Sequence, residues 1–315
     1  MVFAPTSRRF RDKNGAVSNA AVAVQPSRRA SRLRRLGGAA GRVALVLAVV
    51  VALLGLWELY RWIWVSTGWT WPFVVNDTSM PHVSTIFKAF SQPAQVNQPS
   101  LISVLLHKAA FTAKEAAAGF GLGAVIGFVL AVVLVHARLL QRGVLPYIVG
   151  SQTVPILAIA PMVVLWVNPR LPGPLQGWGA VAVIATYLTF FPVTINTLRG
   201  LQSADPRALE LMRTYAASRW AVLWKLRVPA SLPYLFSALR LAATASVVGA
   251  IIGELPTGLQ DGLGGAIINF NQYYSIEPQE LWATNVIAAA LGIAFFVIVV
   301  LAEKAIVRRA PEQSA

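Results

Sequence analysis

The chain has 315 residues, of which 56% are hydrophobic and 12% charged, with no cysteine and a formal net charge of +15. This composition excludes an ordinary soluble domain and a disulfide-stabilised scaffold, and it is typical of a polytopic membrane protein. Because the basic residues cluster at the edges of apolar runs, the positive charge indicates a membrane topology signal and no nucleic-acid partner.

The first 42 residues form a polar segment with ten basic residues and one acid, Asp12. A segment of this kind buries too little apolar surface to offset its ordering entropy, so we predict a disordered basic tail at 1–42. A cleaved export signal is the weaker interpretation. The apolar run that follows is too long for one, and it ends in aromatic residues where a cleavage site would have small ones.

Six apolar runs are long enough to cross roughly 30 Å of hydrocarbon at 1.5 Å per residue. They lie at about 43–65, 116–135, 144–167, 178–198, 234–255 and 282–306. We therefore predict an all-α membrane protein with six transmembrane helices. Its transmembrane domain covers 43–307, and a short tail follows at 308–315.

Shorter elements are predicted between these runs. The loop at 66–98 contains a possible interfacial helix at 81–90, and 100–114 resembles an amphipathic helix approaching the second span. A Gly-rich loop after the fifth span includes an interfacial or re-entrant helix at 263–273. The third run contains three prolines and the polar triplet 151–153, so we expect it to lie among other helices or beside water.

Small residues mark one face of the second run. Gly119, Gly123 and Gly127 recur every fourth residue and so share a helix face. Because lipid supplies no hydrophobic drive for helix association, such a face lets a neighbouring helix pack closely. We predict a packing role for these glycines.

The distribution of Lys and Arg predicts the orientation. With the N-terminus inside, the inner segments hold 22 basic residues and the outer segments five. Positive charge favours the cytoplasmic side, so we predict a multi-pass protein of the cell membrane with both termini in the cytoplasm.

A charged segment, Asp205–Pro233, lies between the fourth and fifth runs, in the loop at 199–233, and is called the island below. Asp205 and Pro206 are typical of a helix start, and we predict a short helix from there to about Tyr215. Ser218 offers a cap for a second helix, which Pro229 and Pro233 are expected to end.

Two interpretations of the island follow from its residues alone. It is either a solvated loop, in which Glu210 pairs weakly with neighbouring arginines, or a docking element for a soluble partner. Exposed Leu211, Tyr215 and Trp220 beside charges favour insertion into a groove. The residues leave these interpretations about equally supported.

The sequence ELMRTYAASRWAVLWKLRVPASLP within the island resembles the EAA coupling loop of binding-protein-dependent ABC importer permeases. That pattern is Glu-Ala-Ala, three residues, Gly, nine residues and Ile-x-Leu-Pro. Here Glu210 matches the acidic position, Ala216 stands in place of the Gly, and Pro229 matches the final Pro. The resemblance assigns ATPase coupling to Glu210, Leu211, Met212, Ala216, Ala217, Ser218, Leu226, Val228 and Pro229.

The resemblance extends over about 101–307 and includes TVPILAIAPMVVLW and VPASLPYLFSALRLA, which are similar to the nitrate/sulfonate/taurine branch. It implies a type I importer permease with cytoplasmic ATP-binding subunits, an extracytoplasmic substrate-binding protein, and a second permease subunit, identical or paralogous, in membrane lipid. The implied solute is a sulfonate-, taurine- or nitrate-like anion, or a heterocycle such as a thiamine precursor or riboflavin.

The sequence has no motif for catalysis. It lacks the G-x-x-x-x-G-K-[ST] loop that cradles nucleotide phosphates, so ATP hydrolysis is expected on a partner. His82, His107 and His136 fall on different segments and form no metal pattern, and no nucleophile triad is evident. We predict no enzymatic activity, no cofactor and no metal.

Polar residues within the runs are candidates for a substrate path, because such groups are costly in lipid and usually face a cavity. The alternative is that they hydrogen-bond between helices or to backbone freed by proline. The candidates are Gln152, Thr153, Tyr187, Thr194, Asn196, Thr244, Ser246 and Glu254.

Two other functions stay open from the sequence. An ATPase-independent secondary transporter or channel would be expected to carry inverted repeats and midplane charges, and neither is evident. A membrane scaffold whose island recruits a signalling partner is the third possibility.

Overall fold

A computed structural model of the chain describes residues 10–11, 17–18, 28–94 and 99–307. Most of the predicted tail at 1–42, and the tail at 308–315, lie outside the described residues. The expected disorder of 1–42 stays a prediction, and part of that segment is described. Two short strands, Phe10–Arg11 (β1) and Val17–Ser18 (β2), pair antiparallel, and helix α1 already begins at Arg28.

The chain divides into two compact units, at 1–68 and 69–315. The first contains β1, β2 and α1 (Arg28–Thr67), whose apolar part, Ala44–Thr67, is long enough to cross a membrane. Most large side chains of this part are exposed, as suits contact with lipid. Near its end the rings of Tyr60 and Trp64 stack with centroids 4.0 Å apart.

The second unit is built from helices. In chain order they are α2 (Val83–Ala89), α3 (Leu101–His136), α4 (Arg138–Ser151), α5 (Ile156–Val167), α6 (Trp178–Gln202), α7 (Pro206–Thr214), α8 (Arg219–Val222), α9 (Val228–Thr257), α10 (Leu263–Gln272) and α11 (Pro278–Val307). Short 3-10 turns at Asn168–Arg170 and Gly173–Leu175 connect α5 to α6, and a π-helical turn at Leu223–Arg227 connects α8 to α9.

Five helices of the described chain are long and apolar enough to cross a membrane, and a bent helix pair adds a sixth candidate. This agrees with the six predicted runs. The predicted approach helix at 100–114 and the predicted second span at 116–135 belong to one helix, because α3 runs unbroken for 36 residues. Nothing around Glu115 interrupts helical hydrogen bonding, so a single helix of about 54 Å forms.

The third predicted run forms the bent pair. α4 and the helical segment that begins at Ile156 meet at an angle of 103°. Pro155, which has no N–H to donate, stands at the start of α5. Only Ile148 and Ala160 are buried on this pair, so other helices of this chain do not enclose it, and the expected alternative, a position beside water, stays a prediction.

α6 lies between α3 and α9 and packs closely against both. A Cβ added at Gly123 of α3 would lie 2.6 Å from the Cβ of Thr189, and one at Gly127 would lie 2.8 Å from the carbonyl oxygen of Phe190. A Cβ at Gly119 would overlap Ala185. These three glycines therefore sit where the α3 and α6 backbones approach most closely.

The other side of α6 contacts small residues of α9. A Cβ at Gly249 would lie 2.9 Å from the Cα of Ala185, and one at Gly253 would lie 3.0 Å from Val181. At the island end the glycine belongs to α6 and the larger side chains belong to α9: Gly200 of α6 faces Ser231 and Tyr234 of α9. Small residues on both partners thus bring three helices together.

We predict that Gly123→Ala destabilises the folded chain by about 1–3 kcal/mol, because the methyl group overpacks the α3–α6 contact. Gly121→Ala is the matched control: no atom lies within 4 Å of its added Cβ. That change should be neutral or stabilise the helix by up to about 1 kcal/mol. Thermal unfolding of the purified variants measures both, and equal midpoints would contradict the packing role.

Candidate functional site

The island begins with two capped helices, as predicted. The carboxylate of Asp205 accepts a hydrogen bond from the Arg207 N–H at 2.9 Å, and Pro206 occupies the first turn of α7. The Ser218 hydroxyl accepts from the Ala221 N–H at 3.2 Å and starts α8. Because caps satisfy N–H groups that have no helical partner, both short helices have defined starts.

The end of α7 has a left-handed residue. Ala216 has φ of +50°, and the Ala217 N–H donates to the Met212 carbonyl at 3.0 Å. This is the pattern of a helix C-terminus that normally places Gly in the left-handed position. The geometry therefore explains why the coupling-loop pattern has Gly here, and why Ala is strained.

The second helix of the island does not end at Pro229 or Pro233, contrary to the prediction. α8 continues through the π-helical turn at Leu223–Arg227 into α9, and the whole segment 219–257 is one candidate span. The wider π turn changes the hydrogen-bond pairing just before Pro229, which falls in the first turn of α9 and needs no N–H there. The island is thus joined to α9 without a flexible break.

Large apolar side chains project from the island into solvent. Tyr215 is 77% exposed, Trp220 64%, and Leu211 and Trp224 are also more than half exposed. Of the other residues assigned to coupling, Glu210, Ala216, Ser218 and Pro229 are exposed, and Met212, Ala217, Leu226 and Val228 are partly buried. Exposed aromatic and aliphatic groups this close together are typical of an interaction surface.

The inner side of the island is anchored. Leu223 is fully buried in a cluster with Leu198 and Leu201 at the end of α6. The ring of Trp220 lies 6.0 Å from that of His136, the last residue of α3. The island therefore has a fixed position on the ends of the membrane helices.

Positively charged side chains lie close together at the island end of the helices. Arg227 lies near enough to Arg138 and Arg213 for the three guanidinium groups to repel one another. Glu210 is the one acidic residue between Pro206 and Pro233. This surface is electrostatically suited to a partner that presents carboxylates.

The candidates for a substrate path separate into two groups. Gln152 and Thr153 are exposed at the bend between α4 and α5. Tyr187 of α6 is half-buried and donates its hydroxyl to the Ser151 carbonyl at 2.7 Å. The structure therefore brings these three residues to one place, where α6 supports the bend.

The remaining candidates on α6 and α9 bond to their own helix. Thr194 donates to the Phe190 carbonyl and Ser246 to the Ala243 carbonyl, both at 2.8 Å, and both residues are buried. The same arrangement holds for the half-buried Asn196 and Thr244. These bonds are local to one helix, and a role of the four residues in a substrate path stays a prediction.

Glu254 lies at the end of α9 remote from the island. It is fully buried and accepts hydrogen bonds from the Thr112 hydroxyl at 2.6 Å and from the Gly264 N–H. The Thr112 hydroxyl also accepts from the Leu263 N–H at 2.9 Å. Thr112 and the buried Glu115 were not among the candidates predicted from the sequence. The position of Glu115 inside an apolar run could have indicated it, because a carboxyl group there is unusual.

One ion pair joins two of the spans. The guanidinium of Arg240 on α9 lies 2.9 Å from the Glu303 carboxylate on α11. Sequence inspection did not pair these residues, because they lie 63 positions apart. Among the described residues, no group of three or more His, Cys, Asp or Glu side chains could hold a metal ion.

Residues 123–310 match the family model described as "Binding-protein-dependent transport system inner membrane component". The chain is 31% identical to a probable ABC transporter permease protein of Haemophilus influenzae over 66% of this chain and 80% of that protein. It is 38% identical to a formylaminopyrimidine transport permease of Halalkalibacterium halodurans over 46% of this chain, which covers only 55% of that relative.

A riboflavin transport system permease protein of Chloroflexus aurantiacus is 30% identical over 55% of this chain and 61% of that protein. The chain thus spans little more than half the length of two of these three relatives.

We predict that Ala216→Gly stabilises the turn after α7. Relief of about 1–2 kcal/mol of left-handed strain outweighs the added chain entropy of about 0.5–1 kcal/mol. Ala217→Gly is the matched control, since Ala217 does not have positive φ; it should only loosen the turn. Hydrogen–deuterium exchange of the peptide at 206–222 should slow in the first variant and quicken in the second, and the opposite order would contradict the strain.

Proposed function

The chain belongs to the family of binding-protein-dependent transport system inner membrane components, and we propose that it is the permease subunit of an ATP-driven importer. In this proposal the helices form part of the path for a small solute, and a separate ATPase supplies the energy. The observation that carries it is the island, which presents Leu211, Tyr215 and Trp220 to solvent on a base fixed to α6 and α9.

The island is proposed to dock in a groove of a cytoplasmic ATP-binding subunit. Its exposed apolar side chains fill the groove, and the arginines beside them attract acidic groups on the partner. Residues Glu210 to Pro229 make this contact. The surrounding α7 and α8 are short, but their caps and the buried Leu223 hold them in place before docking.

Coupling follows from the covalent connections of the island. α6 precedes the island in the chain and α9 follows it, and the π-helical turn is continuous with α9, with no loop between them. When nucleotide binding moves the ATPase, the docked island displaces the ends of both helices. Because α6 packs closely against α3, the movement changes the access of the path from one face of the membrane to the other.

A second permease subunit, identical or paralogous, is proposed to complete the path. The bend that carries Gln152 and Thr153 is exposed in the single chain, which suits a surface covered by another subunit or lining a shared cavity. Tyr187 supports that bend from behind. The three residues together are the proposed contact for the solute.

The proposed solute is a small uncharged nitrogen heterocycle. Neither Arg nor Lys occurs among the path residues, which weakens an anion pocket, whereas amide, hydroxyl and aromatic groups suit a polar ring. Two relatives are named as transport permeases for such solutes, one for formylaminopyrimidine and one for riboflavin. Sulfonate-, taurine- and nitrate-like anions are the alternative class.

The end remote from the island is proposed to meet an extracytoplasmic substrate-binding protein. Two surface cavities of about 280 and 310 Å³ lie there. The first is lined in part by Thr85, Lys88 and Ser275, and the second by His107, Lys108 and Asp261. Mixed polar and charged rims of this kind suit a transient protein contact.

We predict that Glu210→Ala and Trp220→Ala leave membrane insertion intact but weaken ATPase binding and reduce uptake at least tenfold. A central aromatic anchor and a buried charge pair each contribute about 2 kcal/mol or more at interfaces. The chain is co-expressed with an ATP-binding importer subunit from the same genome, and co-purification is measured together with uptake of labelled formylaminopyrimidine, riboflavin or taurine.

Glu277→Ala is the control for the ATPase readout, because Glu277 is an exposed acid in the α10–α11 connection. Unchanged ATPase binding by both island variants would contradict the docking role. Uptake of taurine without uptake of either heterocycle would contradict the solute class while leaving the docking intact.

The proposed orientation makes a separate prediction. Since the chain has no cysteine, single Tyr215→Cys and Ile276→Cys variants can be labelled selectively. Both positions are 77% exposed. A membrane-impermeant maleimide should label Tyr215→Cys only in inside-out vesicles and Ile276→Cys only in right-side-out vesicles. The reverse pattern would place the island outside the cell and overturn the coupling proposal.

A further inference from the structure

Two buried glutamates lie together at the end of the helices remote from the island. Glu115 of α3 and Glu254 of α9 are both fully buried, and their carboxyl groups face each other. We refer to them as the carboxyl pair. The proposed transport function does not use them.

Two hydrogen-bond donors hold the Glu254 carboxyl group. Its carboxylate lies at the N-terminus of α10, where it accepts from the Gly264 N–H, and it also accepts from the Thr112 hydroxyl. Free N–H groups and the helix dipole together stabilise a negative charge at such a position. Three hydrogen bonds among Thr112, Glu254 and the first residues of α10 therefore join three helices.

The Gly-rich loop is shaped around this carboxylate. A Cβ added at Gly262 would overlap the Glu254 carboxyl group, and one at Gly264 would lie 2.6 Å from the Glu254 Cβ. No side chain larger than hydrogen fits at either position. The loop sequence GLGG thus serves to bring α10 onto Glu254.

Glu115 has the opposite environment. Neither of its carboxyl oxygens accepts a hydrogen bond from any donor in the described residues, and both are inaccessible to solvent. Its polar neighbour is the carboxyl group of Glu254. A buried carboxylate without a donor, facing a second carboxylate, is strongly unfavourable, whereas a neutral carboxylic acid can donate to its neighbour.

The charged groups around the pair do not supply the missing partner. Lys108 donates to the Gln260 carbonyl and lies near Asp261. The Lys114 ammonium lies 4.1 Å from the centre of the Trp178 ring, on which it makes a cation–π contact. Lys114 lies close enough to Glu115, and Lys108 to Glu254, for electrostatic attraction, but among the described hydrogen bonds and ion pairs neither ammonium group reaches Glu115.

We propose that Glu115 is a proton-binding site, whose carboxylic acid donates a hydrogen bond to the Glu254 carboxylate and so helps hold α10 against α3 and α9. The bound ligand is a single proton. If α10 leaves and water enters, Glu254 loses its N–H donors and Glu115 can release that proton to water. Docking of α10 and occupancy by the proton are therefore linked.

The test is infrared spectroscopy of the purified full-length chain in lipid nanodiscs, exchanged into D2O at neutral pH. Protonated carboxylic acids have a C=O stretching band that carboxylates lack. The wild type should show such a band, and Glu115→Gln should reduce it, with any remainder due to Glu280, a second buried carboxyl group beside Glu277. Glu303→Gln is the matched control, because Glu303 is ion-paired with Arg240 and should contribute nothing to this band.

Two outcomes overturn the proposal. The first is a wild-type spectrum without a carboxylic-acid band, which requires no variant to fold. The second is a band that Glu115→Gln leaves unchanged and Glu254→Gln reduces, because this would assign the proton to the other residue.

Thermal stability gives a second readout. Glu115→Gln keeps a donor in place, since its amide can donate to Glu254, whereas Glu115→Ala removes the donor and leaves a cavity. The first variant should keep the wild-type unfolding midpoint and the second should lower it. A Gln variant as unstable as the Ala variant would mean that Glu115 acts as an acceptor, contrary to the proposal.

Discussion

Close backbone contact between α6 and its two neighbours is the constraint on which the rest of the second unit depends. In lipid, helices gain nothing from burying apolar side chains against each other, so association requires tight packing. Glycines of α3 provide it on one side of α6, and Gly249 and Gly253 of α9 provide it on the other. At these α3–α6 and α6–α9 contacts there is no room for larger side chains, and the contacts fix where the ends of all three helices lie.

Both proposed functional regions are built on the ends of these three packed helices. At one end, α6 and α9 carry the island, anchored by the buried Leu223 and by contact of Trp220 with His136. At the other end, α3 and α9 carry the carboxyl pair, which receives α10. Because α9 belongs to both, the rigid 30-residue helix connects them mechanically. A displacement of the island therefore has a direct structural route to α10.

The sequence by itself determined the membrane class, the positions of the apolar runs, the packing face of α3 and the caps of the island. These features depend on local chemistry. Apolar length, the repeat of small residues and an Asp or Ser before a helix have the same physical consequence in most surroundings. The family resemblance rested on the same local pattern, and the left-handed Ala216 supplies the physical reason for its glycine position.

Only the tertiary structure decided which polar groups meet. The Tyr187 hydroxyl meets the Ser151 carbonyl of another helix, and Glu115 acquires meaning only beside Glu254, more than a hundred residues away. Pro229 was expected to end a helix and instead follows a π-helical turn. Hydrogen-bond satisfaction inside a bundle depends on neighbours brought together by folding, and no local spacing in the sequence records those neighbours.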